Sequence, residues 1–306
     1  MEIVRTLDRL GPALEALQQL GPSLGLVPTM GALHEGHKAL ILKAVEECDA
    51  VVCSVFVNPL QFNRSEDLEH YPRREKEDLA ILEEAGVNMV WMPEVEEMVG
   101  KGWEPPVYDL AGLDTVLEGA WRPGHFQGVA QIVGRLLDLL PCSDLYMGLK
   151  DYQQCLVVER LLALRCGKSP SGKSPVLHCL PTVRDGEGLA LSSRNLLLSE
   201  EELKRARGIA RTWRWMKEAL TASLSTGAAA SAGAAASAGS PLALAALVEE
   251  GLHRLEQEGL RPEYLSLVRD GTLAPWAGPA AGGLPRALFA GWLGSVRLID
   301  NELLAP

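Results

Sequence analysis

Two histidines, His34 and His37, stand one helical turn apart in the stretch Pro28-Thr29-Met30-Gly31-Ala32-Leu33-His34-Glu35-Gly36-His37-Lys38. A short apolar run precedes it and a helical pattern from about Gly36 to Cys48 follows, so Gly36 and His37 open a helix. The unpaired N–H groups and positive dipole end of such a helix suit a phosphate. Gly31 and Gly36 permit close backbone approach, and the spacing lets both imidazoles reach the same phosphoryl oxygens. A zinc site would want further ligands and the order H-E-x-x-H, and Glu35 is misplaced for that. Two satisfied loop histidines are the other alternative.

Three further segments hold suitable groups. Lys150, in Gly148-Leu149-Lys150-Asp151-Tyr152-Gln153-Gln154, follows an apolar strand pattern and starts a helix. Ser192-Ser193-Arg194-Asn195 precedes a helix whose Ser199 and Glu202 have the spacing of a capping box. Phosphoryl transfer asks a protein mainly for positioning and for cations or donors near developing charge, and His34, His37, Lys150, Ser192, Ser193 and Arg194 are all suited to that. The neutral amides Asn58, Gln61 and Gln154 suit hydroxyls and a carboxylate, with strand-end capping as the plainer alternative. Arg122, in Glu118 to Phe126, reads from the residues alone as part of a loop-internal ion pair.

These groups need elements to hold them. Apolar spacing predicts a helix from Ile3 to Leu20, ended by Gly21-Pro22, then a strand at Leu24 to Pro28. Val51 to Val57 is apolar and β-branched at consecutive positions, as in a parallel strand buried on both faces. A helix at Glu75 to Ala85, a strand at Val87 to Trp91 and a helix at His125 to Leu140 continue the alternation. A strand at Leu145 to Gly148, a helix at Asp151 to Arg165 and a strand at Val176 to Leu180 complete it. Strand and helix in turn imply right-handed crossovers and an α/β, doubly wound, Rossmann-like parallel sheet, whose ligands bind at the carboxyl ends of the strands.

Beyond Pro181 the pattern changes. Helices at Ser199 to Leu220 and Leu242 to Gln257, and strands at Pro262 to Val268, Ala287 to Trp292 and Val296 to Asp300, indicate a small α+β domain. The boundaries are 1–182 and 183–306. An alanine-glycine-serine tract within about 221–240 reads as a flexible insertion, since its glycines oppose helix by about 1 kcal/mol each. A second inserted-looking piece, Gly167 to Pro175, contains Gly172-Lys173-Ser174 but lacks the first glycine of a P-loop.

The whole chain has 306 residues, 47% hydrophobic, with a net charge of −11. That composition supports one or two soluble domains and argues against nucleic acid, whose binders usually carry a basic footprint. No apolar run reaches the roughly 20 residues of a membrane helix, and the start lacks a secretory pattern, so a cytoplasmic protein with no membrane partner is expected. Six cysteines without a C-x-x-C pair read as buried free thiols.

H-x-G-H at the first strand-to-helix turn is the mark of the nucleotidyl-transferring α/β superfamily. With it, in order, come Val55-Phe56-Val57-Asn58-Pro59-Leu60-Gln61-Phe62, Gly148 to Gln154, Pro181-Thr182-Val183-Arg184 and Gly188-Leu189-Ala190-Leu191-Ser192-Ser193-Arg194-Asn195. This set resembles the pantothenate synthetase family, the pantoate-β-alanine ligases, over essentially the whole chain outside the two insertions. The resemblance implies an ATP-dependent condensation of pantoate with β-alanine, with Mg2+ arriving on the ATP phosphates, in a homodimer. It implies ATP contacts from Met30, Gly31, Ala32, Leu33, His34, Glu35, Gly36, His37, Gly148, Leu149, Lys150, Asp151, Val183, Leu191, Ser192, Ser193 and Arg194. It implies pantoate contacts from Asn58, Gln61 and Gln154, Gln61 also lying near β-alanine, and a mobile Ser192–Asn195 segment that closes on the triphosphate. Glu77 and Asp78 correspond to acids proposed as a metal site in some relatives; Ile81 stands where Gln occurs there, and adjacent acids on an exposed helix read first as a solvated face, so no metal ligand is assigned.

Overall fold

Consecutive apolar residues in the first half of the chain go to opposite sides of one sheet. The computed structural model describes residues 1–100, 102–166, 174–227 and 241–304, and the chain falls into two units, Met1–Val183 and Arg184–Pro306. The first contains β1 (Glu2–Val4), α1 (Leu7–Gln18), β2 (Leu24–Thr29), α2 (Glu35–Glu47), β3 (Ala50–Val55), α3 (Ser65–Glu69), α4 (Glu75–Glu84) and β4 (Met89–Trp91). It continues through α5 (Val95–Val99), α6 (Glu118–Trp121), α7 (His125–Leu139), β5 (Asp144–Gly148), α8 (Tyr152–Arg165) and β6 (Val176–Leu180).

The six strands form a parallel sheet in the order β1-β4-β3-β2-β5-β6. Ala50 and Val52 enter a core with α1, α7 and α8, while Val51 and Cys53 enter a second core with α2 and Leu82 of α4. Leu26 against Val27, and Leu145 and Met147 against Tyr146, divide in the same way. Helices on both faces thus explain the unbroken apolar strands.

Connectivity then locates the crevice. The chain after β2 proceeds to β3 and β4 on one side, whereas β5 and β6 lie on the other, so the winding reverses between β2 and β5. Loops leaving the carboxyl ends of two such neighbours diverge to opposite faces and open a cleft between them.

The second unit has α9 (Glu200–Ala206), α10 (Gly208–Gly227), α11 (Pro241–Gln257), β7 (Arg261–Arg269), β8 (Pro285–Leu293) and β9 (Val296–Leu303). The three strands form an antiparallel sheet with β8 in the middle. Trp213, Met216 and Leu255 pack with Leu265, Phe289 and Leu298 in its core.

Several elements differ from the sequence reading. Ile3 lies in β1, not at the start of a helix: β1 pairs along β4, and α1 begins only at Leu7. The helix expected from Ser199 to Leu220 is broken at Arg207, and its second part runs to Gly227, so 221–227 is helical and not part of an insertion loop. The remainder of that tract, 228–240, and residues 167–173 lie outside the described residues. Val183 belongs to the first unit. All six cysteines are free, but only Cys53 and Cys155 are buried, and Cys166 is exposed. No helix among the described residues is long and apolar enough to cross a membrane.

Candidate active site

The turn after β2 is built around one buried carboxylate. Thr29 Oγ1 donates to the Ser54 carbonyl at 2.8 Å and accepts from the Gly31 N–H at 3.3 Å. The backbone then passes through two left-handed residues, Gly31 at φ +79° and Ala32 at φ +49°. Asp78, 2% exposed on α4, receives both following amides: Ala32 N–H at 2.9 Å to Oδ2 and Leu33 N–H at 2.7 Å to Oδ1. A Cβ on Gly31 would lie 3.0 Å from Asp78 Oδ2, so glycine serves here for both conformation and closeness. Burial pushes the Asp78 carboxyl up, against the opposing pull of the two amides and Arg74. Asp78 is therefore an internal brace, and not the solvated residue that its sequence neighbourhood suggests; Glu77 is exposed and meets Arg74 at 3.4 Å.

His34 is the N-cap of α2, with extended backbone, and its Nδ1 accepts from Gly36 N–H at 3.1 Å. His37 answers, its Nδ1 accepting from His34 N–H at 3.3 Å. The two rings lie 4.1 Å apart, and a Cβ on Gly36 would press on the His34 ring at 2.8 Å. Burial first, then Lys150, pushes His34 down to about 4; burial, then His34 and Lys150, pushes His37 down to about 3. Both imidazoles are neutral near pH 7. Because each Nδ1 accepts, each ring carries its proton on Nε2 and offers an N–H on its far side. The pair thus acts as neutral donors at a helix N-terminus, not as cations.

Lys150 supplies the positive charge. It sits in the tight turn Leu149–Asp151 that continues β5 beyond Gly148, its Nζ 3.7 Å from Asp151 Oδ1. β5 is the strand beside β2, so the reversal of winding sets Lys150 next to the histidine pair and accounts for its effect on both. Val183 closes this edge, 3.9 Å from where a Gly36 Cβ would stand. Glu35 is exposed.

The amide residues divide into ligand candidates and scaffold. Asn58, 2% exposed, commits both N–H groups, to Gln61 Oε1 at 3.0 Å and the Gly128 carbonyl at 3.1 Å, and its oxygen accepts from Leu60 N–H at 3.0 Å. It caps the turn Pro59–Gln61, which gives it a structural role. Gln61 is half-buried, its Nε2 2.9 Å from Met30 Sδ, which ties it to the turn after β2. The Gln61 carbonyl accepts from His125 Nδ1 at 2.8 Å and Arg122 Nη2 at 3.2 Å. His125 must then be protonated on Nδ1, and burial, then Arg122, pushes it down to about 4. A side chain on Gly128 would overlap the Leu60 carbonyl. Gln153 is buried and bonded to Glu118, Leu113 and Val116 backbone, whereas the adjacent Gln154 is half-buried.

Ser192, Ser193, Arg194 and Leu191 belong to the second unit. Ser192 Oγ accepts from Arg194 N–H at 3.3 Å and caps the turn Ser193–Leu197, and Asn195 Nδ2 donates to the Ala190 carbonyl at 3.1 Å. The segment hangs from a bridge between Arg184 and Ala190. Arg184 is fixed there by Asp300 at 2.7 and 3.2 Å and Glu302 at 2.8 Å, and Trp213 Nε1 donates to Asp300 at 2.9 Å. Burial opposes the Arg184 charge, but these carboxylates outweigh it and raise its pKa.

Sequence reasoning missed Asp78 as a brace, and His125, Gly128 and Gln153 as supports of the amide turns. The one local hint was Gly124 before His125 and Phe126, a glycine that opens α7 in a left-handed conformation at φ +83°. Among the described residues no group of three or more His, Cys, Asp or Glu is arranged to hold a metal ion.

Comparison with known proteins gives the family. The profile of the pantoate-beta-alanine ligase family matches residues 2–303. A pantothenate synthetase of Granulibacter bethesdensis is 40% identical over 302 residues, covering 98% of this chain and 96% of that one. The crystal structure of pantothenate synthetase from Thermus thermophilus superposes with a TM-score of 0.83 at 39% identity, covering 100% of both chains. A pantoate-beta-alanine ligase from Francisella tularensis, solved as a complex with beta-gamma ATP and beta-alanine, gives 0.74 at 29% identity over 99% of this chain and 98% of that one. With a full-length match and a histidine-capped helix beside a lysine at the sheet's winding reversal, the chain belongs to the pantoate-beta-alanine ligase family.

Proposed function

We propose that this chain condenses pantoate with β-alanine at the expense of ATP, through a pantoyl adenylate. A pantoate carboxylate oxygen attacks the α-phosphorus, the bond to the bridging oxygen breaks, and pyrophosphate leaves. The β-alanine amine nitrogen then attacks the acyl carbon, the mixed anhydride opens, AMP leaves with the bonding electrons, and the nitrogen loses a proton to water.

The observation that carries this reading is the neutral histidine pair at the start of α2 beside Lys150. Two Nε2–H donors, the helix end and one ammonium stabilise charge that grows on the phosphoryl oxygens in the transition state. Gln61 and Gln154 supply amides for pantoate, and Gln61 lies toward the β-alanine site, with Asn58, Arg122 and His125 fixing its backbone. Ser192, Ser193 and Arg194 are proposed as further donors to the triphosphate. Asp78 has both oxygens engaged by backbone amides, so Mg2+ is assigned to the ATP oxygens and water, where it shields phosphate charge. A cytoplasmic homodimer is what the family resemblance implies.

Pyrophosphate exchange into ATP tests the first step. Exchange should require pantoate but not β-alanine, and AMP should accumulate only when β-alanine is added. Folded protein in which pantoate supports no exchange would overturn the proposal. Sedimentation in solution checks the dimer.

A further inference from the structure

We infer that Asp78 is a positioning residue for ATP, acting through the left-handed turn at Gly31 and Ala32 and not through a metal ion. This inference rests on the reading of that turn as the triphosphate cradle. Ala32 holds φ +49°, a conformation that a residue with a Cβ adopts only when its surroundings enforce it. The enforcing contact is the pair of bonds from Ala32 and Leu33 N–H to the two oxygens of Asp78, at 2.9 and 2.7 Å. That carboxylate comes from α4, far along the chain, and is 2% exposed, so water does not compete for it. The same turn delivers His34 to the N-cap position only two residues after Ala32. Relaxing Ala32 therefore swings the start of α2 and both Nε2–H donors away from a bound phosphate.

An asparagine at position 78 has the same shape but offers one acceptor and turns an N–H toward a second N–H. Losing a charge-assisted bond and facing two donors together should raise the KM for ATP on the order of 10- to 100-fold. The KM for pantoate should change far less. Half-saturation by free Mg2+, measured at fixed ATP occupancy, should equal that of the wild type in Asp78→Asn. A displaced Mg2+ dependence would assign the carboxylate to the metal and overturn the inference. Ala32→Gly in the Asp78→Asn background should recover part of the ATP affinity, because glycine takes a positive φ without enforcement. Absence of any recovery would count against the turn as the route of action.

Amide hydrogen exchange on the wild-type chain provides the readout that needs no variant. The Ala32 and Leu33 amides should exchange slowly in the nucleotide-free protein; exchange at the rate of an open loop would overturn the brace even if Asp78→Asn fails to fold. Protected amides together with an unchanged ATP KM in Asp78→Asn would equally overturn the positioning role. Failure of the functional reading shows differently, as wild-type protein in which pantoate supports no pyrophosphate exchange.

Discussion

Two helices in this chain begin with the same reciprocal cap made from different groups. At α9, Ser199 Oγ accepts from Glu202 N–H at 3.3 Å while Glu202 Oε2 accepts from Ser199 N–H at 2.9 Å. At α2, two imidazoles take both parts, each through Nδ1. Both arrangements satisfy backbone donors that the helix itself leaves open. They differ in what remains afterwards. The serine and glutamate present a carboxylate to solvent, which repels phosphate, whereas each neutral imidazole keeps one N–H for a ligand. A cap becomes a binding site when its side chains have a second, chemically opposite end.

The sharpest way to break this comparison is to give α2 the cap of α9. His37→Glu keeps an acceptor for the His34 N–H, so the fold should be retained, with a melting temperature lowered by the burial of a carboxylate that faces the proposed triphosphate site. Pyrophosphate exchange should fall on the order of 10³-fold. A variant that retains wild-type exchange would separate the histidine pair from catalysis. Lys150→Ala removes the charge but leaves the cap, and exchange should fall about 10²-fold with an unchanged melting curve.

Asn58 and Gln61 extend the contrast to a cap without a spare donor. Gln61→Ala should raise the pantoate KM on the order of tenfold, with a small change in stability. Asn58→Ala should do the reverse, lowering the melting temperature by about 5 °C because three buried hydrogen bonds go at once. Steady-state kinetics beside calorimetry reads both, and a larger pantoate effect at Asn58 would assign it as a direct ligand. Ser199→Ala, at the purely structural cap, should cost about 2 °C in melting temperature with no change in rate.

Acid should distinguish the caps by a smaller effect. Imidazoles in the unfolded chain titrate near 6.5, while His34 and His125 are held at about 4 and His37 at about 3. Between those limits the unfolded state binds protons that the folded state refuses, so stability is complete above 6.5 and declines as the pH falls toward 4. The melting temperature should drop from pH 7 to pH 5, and His37→Gln should make that slope shallower. The Glu202 carboxyl is held below its ordinary 4.5 by the Ser199 backbone and hydroxyl bonds, so the α9 cap weakens only under more acid conditions.

Much of this was legible in the sequence where one physical cause dominated. Val51, Val52 and Cys53 are buried in succession because helices cover both faces, and unbroken β-branched runs report that directly. His34, His37 and Lys150 were legible because sheet topology brings strand ends together whatever the intervening loops. Ile3 was not: three residues of edge strand are too few to show a period of two, and the apolar spacing of α1 extends over them. Asp78 looked like one of two surface acids because its burial depends on a turn 46 positions away. Asn58 and Gln153 carry the same amide as Gln61 and Gln154, and nothing local tells an amide that must satisfy backbone from one that is left for a ligand.

The pairing of β2 with β5 has a kinetic consequence. Gly25 lies against Asp144 and Leu26 against Leu145, although β3 and β4 intervene in the chain. Contacts this distant form only after a long loop has closed, and such closures slow folding. The groups proposed to hold ATP on this unit, His34 and His37 on one side and Lys150 on the other, are therefore strangers until that step is complete. During synthesis the histidine turn leaves the ribosome first and waits for β5, with its helix end capped but its cation missing. Tight nucleotide binding becomes a clock for folding, reporting that the central pair of strands has met.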